Sequence, residues 1–332
     1  VCYALGGVEP TVTDANLVLG RLAADRFLGG EMKLDVEGAK RAIEEKLAEP
    51  LGISLVEAAN GIIRIATTQM SNVVTRVTTE RGLDAGDFAM VAYGGAGPLH
   101  SGLVAKELRM PRVVIPPAPG HFSAHGMLMA DLRRDFVRTW FKPLAAAQFQ
   151  DMEAIYGGME DEGRKALARD ITDASRIAWS RAADMRYVGQ EHSVTVDLPM
   201  ALFEREDRDG IKRHFDEVHR QRYGFDAPKE PAEIVSLHSS VVGRLDKPAP
   251  RKRPRRETGK VADALRQKRA VYFTETGKFV DTPVYTREKL ETGDRIEGPA
   301  LVEEYASTTV VFPGDELAVS EYGDLVITIA RS

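Results

Sequence analysis

The sequence predicts an α/β fold in two parts, residues 1–142 and residues 143–332. Three observations carry this prediction. Apolar residues recur at helical spacing through most of the first eighty positions, and an apolar run, a glycine-rich turn and a second β-branched run follow as one βαβ unit. Short β-type segments separated by turn dipeptides fill the C-terminal end. Because a βαβ unit places two parallel strands side by side, we expect a parallel sheet in the first part.

Composition limits the classes of function. The 332 residues hold 50 acidic and 45 basic side chains, a net charge of −5, which argues against nucleic acid or an acidic membrane surface as a partner. Cys2 is the only cysteine, so no internal disulfide can form and a cytoplasmic location is expected. Neither a membrane span nor a targeting leader is predicted. The start at Val1, without methionine, indicates a piece of a longer protein.

Two short helical segments open the chain. Apolar residues predict a helix over residues 15–22, for which Thr13 or Asp14 would be the N-cap. Asp14 has a second interpretation, since its carboxylate could face a nucleotide. An amphipathic pattern then runs from Asp35 to Pro50, where the proline ends it.

A long helix is predicted from Ser54 to Gly82. Ser54 and Glu57 have the Ser-x-x-Glu spacing of a capping box, in which each side chain satisfies a backbone N–H of the other residue. Glycine is the residue expected just after a helix end. One broad apolar face predicts that the helix is largely buried, and it is formed by Ala58, Ile62, Ile65, Ala66, Met70, Val73, Val74 and Val77.

The βαβ unit occupies residues 88–116. It consists of a buried strand over 88–93, a helix over 98–109 and a second strand over 112–116. The connection has the length of a right-handed crossover between parallel strands. The glycine turn between the first strand and the helix therefore lies at the carboxyl end of the sheet, where such sheets bind ligands.

That turn is the candidate binding site. Its glycines allow tight backbone curvature and close approach to a ligand, and Pro98 suits the first turn of a helix. Free N–H groups at the positive end of the helix dipole stabilise a phosphate or another anion. We expect nucleotide contacts from Gly94, Gly95, Ala96, Gly97, Leu99 and His100. The alternatives are a glycine turn that serves packing alone and a His100 ring that packs within the helix.

The second part mixes helices and strands. The patterns predict a strand over 134–141, a helix over 147–169, a hairpin over 178–198, a helix over 205–222 and a strand over 233–245. A basic, proline-rich linker follows at residues 247–257, and short strands fill 269–330.

Several segments together resemble the hydantoinase A/5-oxoprolinase family, which includes N-methylhydantoinase A-type subunits and subunits of ATP-dependent ketone carboxylases. They occur in the same order from end to end. These segments are residues 7–20 (GVEPTVTDANLVLG), 93–100 (YGGAGPLH), 116–120 (PPAPG), 123–126 (SAHG), 184–190 (DMRYVGQ), 222–225 (RYGF) and 298–304 (GPALVEE).

The resemblance implies an actin/Hsp70-like, ribonuclease-H-like ATPase domain followed by a mixed α/β and β-rich C-terminal domain. The Asp-x-Gly-Gly-Thr phosphate turns of such ATPases are not found in this sequence. Residues 1–142 would therefore be the C-terminal part of the ATPase-like domain, and residues 143–332 the C-terminal domain. ATP and Mg²⁺ are the implied cofactors. Residues 94–97 would correspond to the turn that packs against the adenosine and inner phosphates.

The function implied by the resemblance is ATP hydrolysis coupled to ring opening of a cyclic amide such as hydantoin or oxoproline. The implied partner is a B-type subunit, and assembly of the chain into a homo-oligomer is a second form of association that stays open. The piece alone is expected to be inactive. The alternative is a subunit-docking module of a related ketone carboxylase or hydantoinase complex, with no activity of its own. No Ser/His/Asp or Cys/His spacing identifies a catalytic residue, so none is predicted.

Two further pairs have both a structural and a functional interpretation. His121 and His125 stand four apart, as metal ligands on one helix face can, but a third ligand would require Asp131 or Asp135 to fold back; a structural role is favoured and no metal site is predicted. Asp184 and Arg186 share one face of a strand. They form either an ion pair or part of a surface for substrate or partner.

Overall fold

The computed structural model describes residues 1–253, 255 and 260–330. Two compact units are present. The first combines Val1–Met127 with Ala249–Ser332, and the second is Leu128–Pro248. Part of the predicted linker at 247–257, namely residues 254, 256 and 257, lies outside the described residues. No helix in the described part of the chain is both long and apolar enough to cross a bilayer.

The N-terminal segment of the first unit is mainly helical. Its helices and strands are α1 (Val12–Val18), α2 (Val36–Ile43), α3 (Glu49–Leu51), α4 (Leu55–Thr78), β1 (Ala89–Val91), α5 (Gly97–Glu107), β2 (Arg112–Ile115) and α6 (Phe122–Met129). The predicted βαβ unit is thus formed by β1, α5 and β2, and its two strands are parallel.

The second unit is a four-stranded antiparallel sheet with helices. Its elements are β3 (Leu132–Pro143), α7 (Phe149–Leu167), β4 (Ile177–Tyr187), β5 (Val194–Asp197), α8 (Met200–Glu204), α9 (Arg208–Tyr223) and β6 (Ala232–Gly243). The strand order is β3-β6-β4-β5, and the predicted hairpin is the β4–β5 pair. Its core includes Met152, Tyr156, Met185, Phe215 and Leu237.

The C-terminal segment returns to the first unit as strands. These are β7 (Leu265–Phe273), β8 (Lys278–Thr286), β9 (Arg295–Glu297), β10 (Ala300–Glu304), β11 (Ser307–Val311), β12 (Glu316–Val319) and β13 (Leu325–Thr328). They complete one sheet of order β1-β2-β13-β12-β9 and form another of order β11-β10-β8-β7.

The compact units therefore differ from a simple division at residue 142. Strand β13 pairs antiparallel with β2, with Ile327 opposite Val113, so the last strands of the chain extend the sheet of the βαβ unit. Val113, Ile115 and Ile327 lie in the same buried cluster. A pairing across more than two hundred residues leaves no local signal in sequence. The domain boundary near residue 142 stays a prediction.

Helix α1 begins earlier than predicted. Thr11 is its N-cap and Asp14 is the third helical residue, whose carboxylate accepts the Thr11 N–H at 2.7 Å. Asp14 is fully buried and also accepts the Cys2 N–H at 2.7 Å. Burial acts to raise its pKa, but the hydrogen bonds from Thr11 and Cys2 outweigh burial and hold the pKa below its usual value. The prediction that Thr13 or Asp14 is the N-cap is therefore wrong, but the Asp14 carboxylate does cap the start of the helix, from the third helical position.

Helix α4 begins where it was predicted to begin, but its apolar face is more exposed than predicted. The capping box of Ser54 and Glu57 is present. The helix ends at Thr78 and passes through one 3₁₀ turn to Gly82, which is left-handed. The prediction of a largely buried helix is wrong, because no element of the described chain covers the outer part of its apolar face. Its exposed large apolar residues are Ile65, Met70, Val73 and Val77.

Strand β1 is shorter and less buried than predicted. Only residues 89–91 pair with β2, and the strand is the edge of its sheet. Phe88, Val91 and Tyr93 are consequently exposed. An apolar strand that is a sheet edge keeps the sequence pattern of a buried one, which explains the error.

Candidate active site at the glycine turn

The glycine turn is held by two hydrogen bonds. Gly94 has a φ of +86°, in the left-handed region that glycine adopts without strain. Its N–H is donated to the Pro119 carbonyl at 2.7 Å, which ties the end of β1 to the segment after β2. Ser307 Oγ donates to the Gly95 carbonyl at 3.0 Å, which ties the turn to β11. The turn is thus fixed by the protein itself.

Only some of the predicted contact residues have an N–H group free for a ligand. Leu99 donates its N–H to the Ala96 carbonyl at 3.2 Å, so this group is already used within the first turn of α5. The N–H groups of Gly95, Ala96 and Gly97 have no acceptor among the described residues. These three donors, which belong to the predicted set, can meet an anion.

A cavity of about 430 Å³ opens beside the turn, at the carboxyl end of the parallel strands. Gly95, Ala96 and Leu99 line it, whereas Gly94, Gly97 and His100 do not. Its other walls combine apolar and aromatic side chains with polar and charged ones, among them Leu22, Phe27, Tyr305, Arg26, Glu288 and Thr308. A concave site in which polar groups converge beside apolar surface is typical of small-molecule binding.

Ion pairs form one side of the cavity. Glu303 accepts one hydrogen bond from Arg266 and one from Arg269, each at 2.7 Å. Nε and Nη1 of Arg269 are buried without a partner among the described residues. Two guanidinium groups thus share the Glu303 carboxylate, and Glu288 and Glu304 also line the cavity, so this side carries charges of both signs.

Glu304 makes a second ion pair, with Arg287 at 2.9 Å. Burial raises the pKa of Glu304, an effect that Arg287 opposes, and burial lowers the pKa of Arg287, an effect that Glu304 opposes. The two carboxylates at the end of β10 are therefore engaged by arginines.

The tip of the β10–β11 hairpin closes on the turn. A Cβ at Gly95 would lie 3.1 Å from the Ala306 carbonyl, and one at Gly120 would lie 3.0 Å from the Ala306 Cβ. Tyr305 accepts the Gly29 N–H at 3.1 Å and donates its hydroxyl to Glu31 at 2.9 Å. Part of the requirement for glycine at position 95 is therefore packing, the alternative that the sequence left open.

His100 lies behind the turn rather than in the cavity. Its side chain is buried, and Nε2 is 3.2 Å from Nδ2 of Asn16. Burial, together with the charge of Arg21, lowers the pKa of His100 to about 4, so the ring is neutral near pH 7. The structure thus supports the packing role for this ring, since a buried, neutral imidazole offers a phosphate no charge.

Arg21 is a buried group that the sequence did not single out. It is fully buried, its Nε and Nη1 have no partner among the described residues, and its guanidinium lies 5.6 Å from the ring centroid of Phe312. Burial lowers the pKa of Arg21 to about 10. An arginine that follows the glycine after an apolar helix usually reaches solvent, so only the tertiary structure reveals this burial.

His121 and His125 have aromatic partners. The ring of His121 stacks on Tyr305 with centroids 6.4 Å apart, and that of His125 stacks on Phe122 at 5.7 Å. Both rings therefore make packing contacts, as in the favoured structural interpretation.

Asp184 and Arg186 have separate partners in the second unit. Asp184 accepts hydrogen bonds from Ser236 and Thr195 at 2.7 Å, and Nε2 of His238 lies 2.7 Å from it. Arg186 pairs with Glu233 at 2.8 Å. The ion pair considered between Asp184 and Arg186 is not formed, because each side chain finds a partner on the neighbouring strand.

Both parts of the chain match known proteins. The Hydantoinase/oxoprolinase family model matches residues 1–136, and that of the Hydantoinase/oxoprolinase C-terminal domain matches residues 142–325. Caprolactamase subunit alpha of Pseudomonas jessenii is 35% identical over 320 residues, which are 95% of this chain and 45% of that protein.

Two solved structures resemble this one along almost its whole length. The crystal structure of the ATP-dependent caprolactamase from Pseudomonas jessenii has a TM-score of 0.81 at 32% identity, over 99% of this chain and 48% of that chain. A nucleotide-free structure of acetone carboxylase has a TM-score of 0.74 at 25% identity, again over 99% of this chain and 48% of that chain. These likenesses confirm the predicted fold class.

The match is to only part of each relative. The chain spans about half the length of caprolactamase subunit alpha and of the solved caprolactamase and acetone carboxylase chains. Within that half, the family models cover both the segment that carries the glycine turn and the segment that follows it. The chain belongs to the hydantoinase/oxoprolinase family.

Proposed function

We propose that the intact protein is an A-type subunit that couples ATP hydrolysis to the opening of a cyclic amide ring, and that an adenine nucleotide binds in the cavity beside Gly95. The observation that carries the proposal is the position of this cavity at the carboxyl end of β1 and β2, with three unpaired N–H groups in the adjoining turn. Likeness to an ATP-dependent caprolactamase supports the reaction class.

The walls of the cavity suit the parts of a nucleotide. Phe27, Leu99 and Tyr305 offer apolar surface to a purine ring. The N–H groups of Gly95, Ala96 and Gly97 lie at the N-terminus of α5, the positive end of the helix dipole, where a phosphate is stabilised. Arg26 is exposed at the cavity and adds a positive charge to it.

The need for ATP follows from the chemistry of the substrate. An unstrained lactam or imide carbonyl is a poor electrophile, and bound ATP supplies a phosphoryl group that converts its oxygen into a leaving group. The residues of this chain contribute binding, orientation and the exclusion of water from the cavity. No residue of this chain is assigned to the transfer of a proton.

The carboxylates of the cavity do not fit a Mg²⁺ site. Glu303 is bound by two arginines and Glu304 by a third, which leaves Glu288 as the one other carboxylate in the described lining, too few for a Mg²⁺ site. In the described part of the chain, no group of three His, Cys, Asp or Glu side chains is arranged to hold a metal. We therefore assign no Mg²⁺ ligand and derive no step through the ion.

A B-type subunit is the proposed partner, in a cytoplasmic complex. The relative from Pseudomonas jessenii is named as a subunit. Val137 and Phe141 on β3 are exposed apolar residues of the second unit, beside the hydrogen-bonded Asp184 and His238. A pull-down with the B-type subunit tests this, and substitution of Phe141 by Glu should weaken capture without altering nucleotide binding.

The test of nucleotide binding is thermal stabilisation of the full-length subunit by ATP. At a hundred times Kd, a ligand stabilises the folded state by about 2.7 kcal/mol. We expect Ala96→Asp to abolish the stabilisation, because Ala96 lines the cavity and an added carboxylate there repels phosphate. Gly158→Asp is the control for an added carboxylate, on open surface of α7 in the other unit. An unchanged ATP effect in Ala96→Asp would contradict the proposal.

A further inference from the structure

Ser307 connects a distant strand to the glycine turn. It is the first residue of β11, and its Oγ donates to the Gly95 carbonyl at 3.0 Å across 212 residues of sequence. Its place is fixed by the hairpin, because Ser307 is paired with Glu304 at the last step of the β10–β11 ladder. Ser307 is 8% exposed, so water competes little for this hydrogen bond.

This hydrogen bond sets the direction of one free N–H group. The Gly95 carbonyl and the Ala96 N–H belong to the same peptide group, and in a planar trans peptide they point in opposite directions. A carbonyl that is held by Ser307 therefore holds the Ala96 N–H as well. That N–H has no acceptor among the described residues, and Ala96 lines the cavity.

The neighbouring peptide groups have anchors of their own. The Gly94 N–H donates to the Pro119 carbonyl at 2.7 Å, and the Ala96 carbonyl accepts the Leu99 N–H at 3.2 Å. Both are backbone hydrogen bonds, which no substitution at position 307 removes. Loss of the Ser307 hydroxyl should therefore free the Gly95–Ala96 peptide, while the rest of the turn stays in place.

We propose that Ser307 is a positioning residue for the bound nucleotide, which aims the Ala96 N–H at a ribose or phosphate oxygen by holding the Gly95 carbonyl. The hydroxyl also polarises that carbonyl, and this makes the N–H of the same peptide a stronger donor. The inference rests on the proposed nucleotide site. It adds that a hydroxyl on β11, outside the turn, is needed for full affinity.

Direct contact with the nucleotide is the competing role, since Ser307 itself lines the cavity. The proton of its hydroxyl is used by the Gly95 carbonyl, so Oγ can only accept a hydrogen bond from a nucleotide. Phosphate oxygens are acceptors and would gain nothing from it. The geometry therefore favours an action of Ser307 through the peptide that it holds.

The test is calorimetric titration of the full-length subunit with ATP. We expect Ser307→Ala to raise the Kd about fivefold to tenfold, because one well-aimed hydrogen bond to the nucleotide is lost. Ser307→Thr keeps a hydroxyl and suits a strand, so its Kd should stay within about twofold of that of the unsubstituted protein. Thr309→Val is the matched control and should leave the Kd unchanged, since it removes from the same strand a buried hydroxyl that has no partner among the described residues.

A double substitution separates positioning from direct contact. Lactic acid in place of Ala96 turns the amide into an ester and removes its N–H. If Ser307 acts through that N–H, Ser307→Ala should cause no further loss of affinity in the ester protein. A further loss as large as in the amide protein would show direct contact and overturn the inference.

The outcomes also distinguish this inference from the proposal on which it rests. If the unsubstituted protein binds ATP and Ser307→Ala has the same Kd, the inference is wrong and the cavity proposal stands. Equal losses in Ser307→Ala and Thr309→Val would also overturn the inference, because they would reflect a general weakening of β11. Failure of the unsubstituted protein to bind ATP would overturn both.

Discussion

Nδ2 of Asn16 in α1 and Nε2 of His100 in α5 lie 3.2 Å apart, which joins the two helices behind the glycine turn. Because the amide nitrogen donates, the imidazole nitrogen accepts, and the proton of the neutral ring is on Nδ1. This arrangement requires a neutral His100. The lowered pKa of the ring, caused by burial and by Arg21, agrees with it.

The first prediction concerns pH. The pKa of His100 falls from 6.5 to about 4 on folding, so the unfolded chain binds more protons between these values. The contribution of His100 to stability is therefore complete above pH 6.5 and is lost as pH falls toward 4. The loss from pH 7 to pH 5 is about 2 kcal/mol. Urea unfolding at both pH values should show a weaker pH dependence in His100→Gln, and an identical dependence would contradict the assignment.

The second prediction concerns Asp14. Its buried carboxylate accepts hydrogen bonds from the N–H groups of Thr11 and Cys2. In an asparagine the NH₂ group replaces one of the two oxygens, so it would face one of these N–H groups and neither could accept. We expect Asp14→Asn to lower the free energy of unfolding by about 2–4 kcal/mol. Asp84→Asn is the control, because Asp84 accepts one bond on an exposed turn and asparagine caps equally well. Similar losses in both variants would count against this role.

The third prediction compares two glycines with positive φ. Gly20 and Gly277 have φ values of +77° and +64°, but a Cβ would lie 2.1 Å from the Ala270 carbonyl at Gly20 and would meet nothing within 4 Å at Gly277. Gly277→Ala should cost roughly 1 kcal/mol from backbone strain alone. Gly20→Ala should cost at least about 2 kcal/mol more, because α1 must shift away from β7. Chemical denaturation measures both, and equal costs would show that the contact is absent.

The fourth prediction concerns a buried ion pair of the second unit. Arg181 donates to Glu160 at 2.6 and 3.1 Å, and both side chains are buried. Removing the charge of Glu160 leaves the guanidinium under-compensated, so Glu160→Gln should cost about 3–5 kcal/mol of stability. The exposed pair of Arg138 and Glu162 supplies the control, and Glu162→Gln should change stability little. If both variants unfold at the same denaturant concentration, the buried pair has no special role.

Local features were predictable from sequence because their causes are local. The capping box of Ser54 and Glu57 fixes the start of α4 within four residues, and the glycine turn followed by Pro98 fixes the start of α5. The position of the candidate site at the end of β1 follows from the βαβ unit. These signals require no knowledge of distant partners.

Features that depend on distant residues were missed. The pairing of β13 with β2 and the burial of Arg21 both arise from contacts far apart in sequence. Strand β1 and the outer face of α4 were expected to be buried because their sequences are apolar, and their exposure reflects the absence of a covering element in the described chain. The hydrogen bond from the N–H of Leu99 to Ala96 cannot be predicted from residue types either.

The most direct test of the central claim is a crystal structure of the full-length protein with a non-hydrolysable ATP analogue. We expect the nucleotide in the cavity beside Gly95, with a ribose or phosphate oxygen within about 3.2 Å of the N–H of Gly95, Ala96 or Gly97. A nucleotide bound elsewhere, with this cavity filled by side chains, would contradict it.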